Sequence, residues 1–408
     1  MNIVKVPISV TDLKVGMFVS SLDRAWLETP FLLQGFSIKD VEDINLLGQH
    51  CTYVYVDKRT IPQDFKPTVI IDPKVSTTII ENALRKKPNT STEKSFKEEI
   101  KRAKLVHDEI EDLIRVLFQS KESASKLNLL EVKKAITPMV NSIFKNPDAM
   151  IYLSHLRDHD NYGYSHSIAT SVWATALGRQ IGLPRDQLTD LAIGALMCDI
   201  GKLDLPQSLL TKSGPLEEGE FDTLKRHVDF SINRITKSIG INHRILATVA
   251  HHHERESGKG YPLGLTSNDI PLFAKIAGIA DSYDAMISNR VYCQAISPNE
   301  AIHKLYEWRN IDFQAELVEE FIKTLGIYPV GSLVELSDDS VAIVIKVGQS
   351  QRLKPKVMLI LDGAKKPLHP MRIIDLKLEQ DRGITKAIRI KRGLPSDAYG
   401  IDPRELYL

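Results

Sequence analysis

Apolar and polar positions follow three successive regimes along the chain. Near the N-terminus, short β-branched runs around residues 3–10, 17–19, 51–56 and 69–71 are separated by polar turns, and a helix is predicted at 38–47. Residues 1–72 are therefore expected to form a small α/β domain. A charged stretch at 86–104 then runs into Phe96, Ile100, Ala103, Ile110, Ile114 and Leu117, at intervals of four and three, with His107 interrupting the seam. That pattern fits two arrangements: a homodimer through the 93–120 helix, or an amphipathic helix packed on its own domain. A further helix at 127–144, kinked or broken near Pro138, completes a helical connector at 73–146.

Residues 147–328 read as helical throughout. Ile168, Val172, Ala176, Leu177 and Ile181 form a stripe at helical spacing, which predicts a helix packed by one face with His166 near its start. Gly182-Leu183-Pro184 ends it. A second helix through 188–197 carries Cys198 and Asp199 at its C-terminal end, where the negative end of the helix dipole favours a cation. Gly214-Pro215 opens another helix, with His227 two to three turns along. Asn242 caps a helix reaching His253, and Pro271 opens the apolar helix carrying Asp281. Three strands at 332–336, 341–347 and 357–361 then predict a small β appendage over 329–380, followed by a Lys-, Arg- and Pro-rich tail at 381–408. The fold class expected is mainly α: a helical bundle with an α/β N-terminal domain and a short β appendage.

Composition narrows the function. With 53 basic and 52 acidic residues the net charge is +1, so no global field favours DNA or a membrane surface. Cys51, Cys198 and Cys293 share no metal-like spacing, and so sparse a count fits a reducing compartment. No apolar run approaches the roughly 20 residues that span a bilayer, and Met1-Asn2-Ile3-Val4-Lys5 lacks a signal-peptide pattern. A soluble cytoplasmic protein is expected.

The candidate chemistry centres on His251-His252-His253-Glu254 and the polar loop closing on Gly260-Tyr261-Pro262. In isolation such a run reads equally well as solvated histidines capping a helix end. Its company changes that reading: His166, Asp199 with Lys202, His227 and Asp281 each lie in or at the end of a predicted helix. Imidazoles and carboxylates projecting from several helices into one bundle are how such folds build metal centres.

At these residues the chain resembles the HD-GYP family, metal-dependent phosphodiesterases that linearise cyclic di-GMP. The matching pieces are Tyr164-Ser165-His166-Ser167, Asp199-Ile200-Gly201-Lys202, Lys225-Arg226-His227, His252-His253-Glu254, Gly260-Tyr261-Pro262, Ile279-Ala280-Asp281-Ser282-Tyr283-Asp284-Ala285 and Arg290. They extend from about Asp158 to Ile327. The resemblance implies an HD-domain helical bundle and a centre of two divalent metals (iron, manganese or zinc). In it Asp199 bridges, His166 and Asp281 complete one metal, and His227, His252 and His253 complete the other. Lys202 would steady the scissile phosphate or protonate the leaving oxygen, while Tyr261 and Arg290 would contact the substrate.

Four positions depart from the family pattern. Cys198 replaces the histidine of the dyad, leaving a sulfur ligand, a water or a vacancy there. Val291 and Cys293 replace a proline and a basic residue, which thins the phosphate grip. Tyr162 stands where a third metal would need glutamate, so two metals are expected rather than three. Trp26-Leu27-Glu28-Thr29-Pro30-Phe31 resembles a small domain of unknown function that precedes such domains, with Trp26 and Phe31 either in a core or on a surface for a protein partner. The expected function is cyclic di-GMP hydrolysis to pGpG or GMP, attenuated by Cys198. The alternative is a weak or inactive effector that binds the dinucleotide or another protein.

Overall fold

The structure, a computed structural model, describes residues 5–22, 36–51, 53–62, 93–118, 127–156, 162–289, 294–348, 351–381 and 388–401. The predicted strand at 69–71, the aromatic pair Trp26 and Phe31, and Arg290, Val291 and Cys293 lie outside the described residues, as does the side chain of Tyr162. The chain divides into two units, Met1–Thr78 and Ile79–Leu408.

In the first unit, β1 (Lys5–Ser9), β2 (Phe18–Leu22), β3 (Phe36–Ser37) and β4 (Tyr53–Asp57) form an antiparallel sheet in the order β1-β4-β2-β3. Ile8, Val19, Val54 and Val56 alternate into a core shared with Leu47 of α1 (Val41–His50), the two-residue period of a sheet with one buried face. Helix α1 starts later than the predicted 38 because the Asp40 side chain accepts the Asp43 amide and caps it.

The second unit is mainly helical. Helix α2 (Glu93–Phe118) buries Ile100, Ala103, Ile110 and Ile114 in the core of its own unit. These four positions of the heptad stripe pack on their own domain, one of the two arrangements the pattern allowed; the side chain of Phe96 lies outside the described residues. Helix α3 (Leu129–Lys145) continues through Pro138 instead of breaking there. Pro138 lies on the exposed face, where a carbonyl left without its partner is open to water.

After α4 (Asp148–His155) comes α5 (Tyr162–Gln180), which is buried on every side from 166 to 178 rather than along one stripe. Several of its polar positions find partners inside the bundle: Ser171 Oγ donates to Ala192 O, Thr175 Oγ1 to Ser171 O and Trp173 Nε1 to Asp284 Oδ1. Small hydroxyl residues therefore occupy positions that looked solvent-facing. Helix α6 (Arg185–Met197) packs along α5 and leads into a 3-10 turn at Ile200–Asp204.

Helix α7 (Glu218–Lys225) begins after a Glu217–Glu220 capping box, two residues beyond Pro215. The chain bends at Arg226, so His227 opens a separate helix, α8 (His227–Ile235). Asn242 caps α9 (His243–His251), its side chain accepting the Arg244 and Ile245 amides. Helices α10 (Leu272–Ile287), α11 (Pro298–Glu307) and α12 (Ala315–Leu325) complete the bundle.

The C-terminal part holds more strands than predicted. Strands β5 (Leu333–Leu336), β6 (Val341–Gly348), β7 (Gln351–Leu361), β8 (Pro367–Asp375) and β9 (Ile390–Leu394) form an antiparallel sheet in the order β8-β7-β6-β5-β9. Strand β8 is largely exposed and carries two prolines, so it shows no apolar alternation; β9 falls within the expected tail and pairs with β5. Leu333, Ile343, Ile345 and Met358 join the helical core from one face, while Val334, Val344 and Val357 form a second core on the other. Among the described residues no helix is long and apolar enough to cross a membrane.

Candidate metal centre

Five elements deliver the predicted side chains to one place. Helix α5 supplies His166 from its N-terminal part, the end of α6 supplies Asp199, and the first residue of α8 supplies His227. The end of α9 supplies His252 and His253, and α10 supplies Asp281 from its middle. Asp199, His227, His252 and His253 each offer an atom within 4.8 Å of the others'. His166, Asp199 and Asp281 meet the same limit, so Asp199 belongs to both groups. The measured approaches are His166 Nε2 to Asp281 Oδ1, 3.0 Å, His166 Nε2 to Asp199 Oδ2, 3.5 Å, and His227 Nε2 to Asp199 Oδ1, 3.4 Å. Gly201 makes this convergence possible, because any Cβ there would strike the backbone of His227 and Ser231.

Three atoms at the meeting point, Asp199 Oδ1, His227 Nε2 and His252 Nε2, are buried without a hydrogen-bond partner. Orphaned polar atoms are costly, and three that converge fit a cation. The other ring nitrogens support this reading: His227 Nδ1 donates to Leu224 O at 2.7 Å and His252 Nδ1 to Val249 O at 2.9 Å. Those bonds assign the tautomer in which Nε2 carries a free lone pair.

Electrostatics prepare the donors. Burial pushes the His252 imidazole down to about 4, and lowers His227 and, most strongly, His253, which also feels its neighbours His252 and His227. All three are neutral at pH 7. Burial opposes charge on Asp199 as well, but Lys202, His227 and His166 outweigh it and hold the carboxyl below its ordinary range. Burial likewise opposes charge on Asp281, and its bond to His166 prevails. Burial opposes a charge on His166 too, but its bonds to Asp281 and Asp284 raise it. Lys202 Nζ donates to Asp199 Oδ2 at 2.6 Å and remains 31% exposed at the side chain.

The loop after α9 brings Tyr261 over His253, the rings stacked at 4.6 Å, with Phe221 edge-on at 6.4 Å and Lys225 Nζ 5.9 Å from the Tyr261 ring. Glu254, 4% exposed, fixes this loop by accepting the Leu263 amide at 2.7 Å and the Leu265 amide at 2.9 Å. His251 lies outside both donor groups, so only two of the three consecutive histidines join them.

Cys198, the candidate sulfur ligand, is not in either group. Its Sγ donates back to Gly194 O at 3.2 Å within the last turn of α6, and burial beside Asp199 and Asp281 pushes the thiol well up. The sulfur is thus turned to a backbone carbonyl and away from the two donor groups. Asp284 and Trp173 were the residues sequence reasoning passed over. Asp284 stands in the quoted Asp281–Ala285 stretch three residues after Asp281, the spacing that puts both carboxylates on one helix face.

Comparisons with known proteins agree with this architecture. An HD domain profile matches residues 146–315, a domain of unknown function (DUF3391) matches 5–132, and a KOW domain associated with HD domain matches 333–393. A cyclic di-GMP phosphodiesterase of Pseudomonas aeruginosa is 29% identical over 374 residues, 90% of this chain and 88% of the relative. One from Borreliella burgdorferi is 29% identical over 205 residues, covering 50% of this chain and 54% of its own length. A response-regulator cyclic di-GMP phosphodiesterase of Xanthomonas campestris pv. campestris is 34% identical over 151 residues, 37% of this chain and 40% of that protein. The chain thus spans about half or less of these last two. A solved HD-GYP-type protein from Bdellovibrio bacteriovorus aligns with 78% of this chain and 98% of its own at 18% identity, with a TM-score of 0.45. The chain thus carries an HD domain between a DUF3391 and a KOW domain, and its ordered motifs resemble those of the HD-GYP family, with cysteine in place of the dyad's histidine.

Proposed function

We propose that the chain is a metal-dependent phosphodiesterase hydrolysing cyclic di-GMP to pGpG, GMP or both. The observation that carries this reading is the pair of donor groups sharing Asp199, with three buried orphan atoms in the imidazole-rich one. His166, Asp199 and Asp281 would hold one divalent ion; Asp199, His227, His252 and His253 would hold the other. Iron, manganese and zinc all suit this mixture of neutral imidazole and carboxylate. Bound there, divalent cations lower the pKa of water towards neutrality and neutralise phosphoryl oxygens.

The rest is done by the protein. Asp199 holds the Lys202 ammonium at the rim, where it can steady a scissile phosphate and give a proton to the leaving oxygen. Tyr261, braced by the Glu254-bound loop, offers a ring face to guanine. Arg290 is assigned to the phosphate, for which a guanidinium fork is suited. A second reading, a weak or inactive effector of the same dinucleotide, is favoured by the Cys198 thiol being bonded to Gly194. Incubating the purified chain with cyclic di-GMP and Mn²⁺, Fe²⁺ or Zn²⁺, and separating products by chromatography, decides between them. Conversion to linear product that Asp199→Ala abolishes supports the enzyme. Binding without conversion under every ion supports the effector.

A further inference from the structure

The two donor groups orient their imidazoles by different means. His227 and His252 lean on backbone carbonyls three residues back in their own segments. His166, the single imidazole of its group, leans on a carboxylate from another helix: its Nδ1 lies 2.6 Å from Asp284 Oδ2. Asp284 is wholly buried, and its other oxygen accepts Trp173 Nε1 at 2.9 Å, with Ser288 Oγ 3.3 Å from Oδ2. An anion this deep is expensive unless each oxygen is answered. Here the answering donors lock it in line with the His166 ring. With the Cys198 thiol turned to Gly194, the group around His166 has three donors where the imidazole-rich group has four. Its ability to hold an ion then depends more heavily on the aim of each.

We propose that Asp284 is a positioning residue: through Nδ1 of His166 it fixes the ring's tautomer and orientation, points Nε2 at Asp199 and Asp281, and so sustains the three-donor half of the centre. A carboxylate behind a ligating histidine also makes the ring a stronger donor. This rests on the metal-centre reading above.

The test is titration of the metal-free full chain with Mn²⁺ by calorimetry, with bound metal counted by atomic emission. The native chain gives two steps, and His252→Ala identifies the step belonging to the imidazole-rich group. Asp284→Asn is expected to weaken the other step by about 10–100-fold and the imidazole-rich step by clearly less, since Asp199 is the one donor the two groups share. Two unchanged steps, or two steps weakened alike as general loosening would do, overturn the proposal. A native chain with one step overturns it while leaving the imidazole-rich site standing; a native chain with no uptake takes the metal reading down as well. Should Asp284→Asn fail to fold, Trp173→Phe removes the indole donor and keeps an aromatic ring in the core. It is expected to weaken the same step by less, and an unchanged step there counts against Asp284.

Discussion

Replacing Cys198 by alanine separates a core thiol from a ligand. The side chain is 4% exposed, stands in the helical core, and spends its proton on Gly194 O. Removing the sulfur deletes about one methylene equivalent of buried surface, worth ~0.8 kcal/mol, and leaves a small cavity that adds a few tenths. The lost S–H bond contributes little, because the thiol is a weak donor. A destabilisation of about 1 kcal/mol follows, which in a unit of this size lowers Tm by about 2–4 °C. The metal content of Cys198→Ala should equal that of the native chain after identical loading and dialysis. Loss of an ion in that variant would show sulfur in the coordination shell and refute the geometry argued above. Cys198→His is the complementary variant, restoring an imidazole at the dyad position, and its ion retention and turnover should rise together.

Four further outcomes are expected. Glu254→Gln leaves only one oxygen for two amides and turns an NH₂ towards one of them, costing about 1–3 kcal/mol at the loop; KM for cyclic di-GMP should rise several-fold with metal content unchanged, in steady-state kinetics beside metal analysis. Gly201→Ala drives a Cβ into the backbone of α8 and should destabilise by about 1–3 kcal/mol, with weaker metal uptake because His227 is displaced; an unaltered melt and uptake would contradict it. For pH, the lowered pKa of His227, His252 and His253 means the unfolded chain binds more protons than the folded one. Metal-free stability should therefore fall as pH drops from about 6.5 towards 4, by at most about 3 kcal/mol from His252 alone. The raised His166 opposes this as one group against three, so a melt unchanged between pH 7 and 5 would count against the neutral imidazoles. Chelation should lower Tm, since an ion at 100 times its Kd adds about 2.7 kcal/mol; a melt indifferent to chelator would count against a bound ion.

Much of the site was legible because its chemistry needs particular residue types. His166, Asp199, His227, His252, His253 and Asp281 stood out as ligand types on predicted helices, and the structure brings all six together. What sequence could not supply was orientation. The role of Cys198 stayed open between a sulfur ligand, a water and a vacancy because nothing in a linear pattern says whether its sulfur faces the donors or the carbonyl one turn back. Asp284 looked like an ordinary helix residue because its role depends on His166, more than a hundred positions away. The same reason hid the burial of α5, where serine and threonine at apparently solvated positions bond to neighbouring carbonyls. Strand β8 was missed because an exposed edge rich in proline carries no alternation, and β9 because its partner β5 is distant in sequence.

Charge explains why so many buried groups share one location. Asp199, Asp281 and Asp284 are carboxylates in the interior, facing one lysine ammonium and one imidazole whose proton they favour, while burial keeps the other three imidazoles neutral. The bare centre is therefore negative, a field that repels a dianionic dinucleotide and draws in divalent cations. Divalent ions held there would reverse its sign locally. With a net charge of only +1 over the whole chain, attraction for the substrate cannot come from the surface at large and has to arise at this pocket. Metal uptake thus does two things at once: it satisfies donors that are expensive to leave orphaned, and it creates the positive potential that a phosphodiester requires.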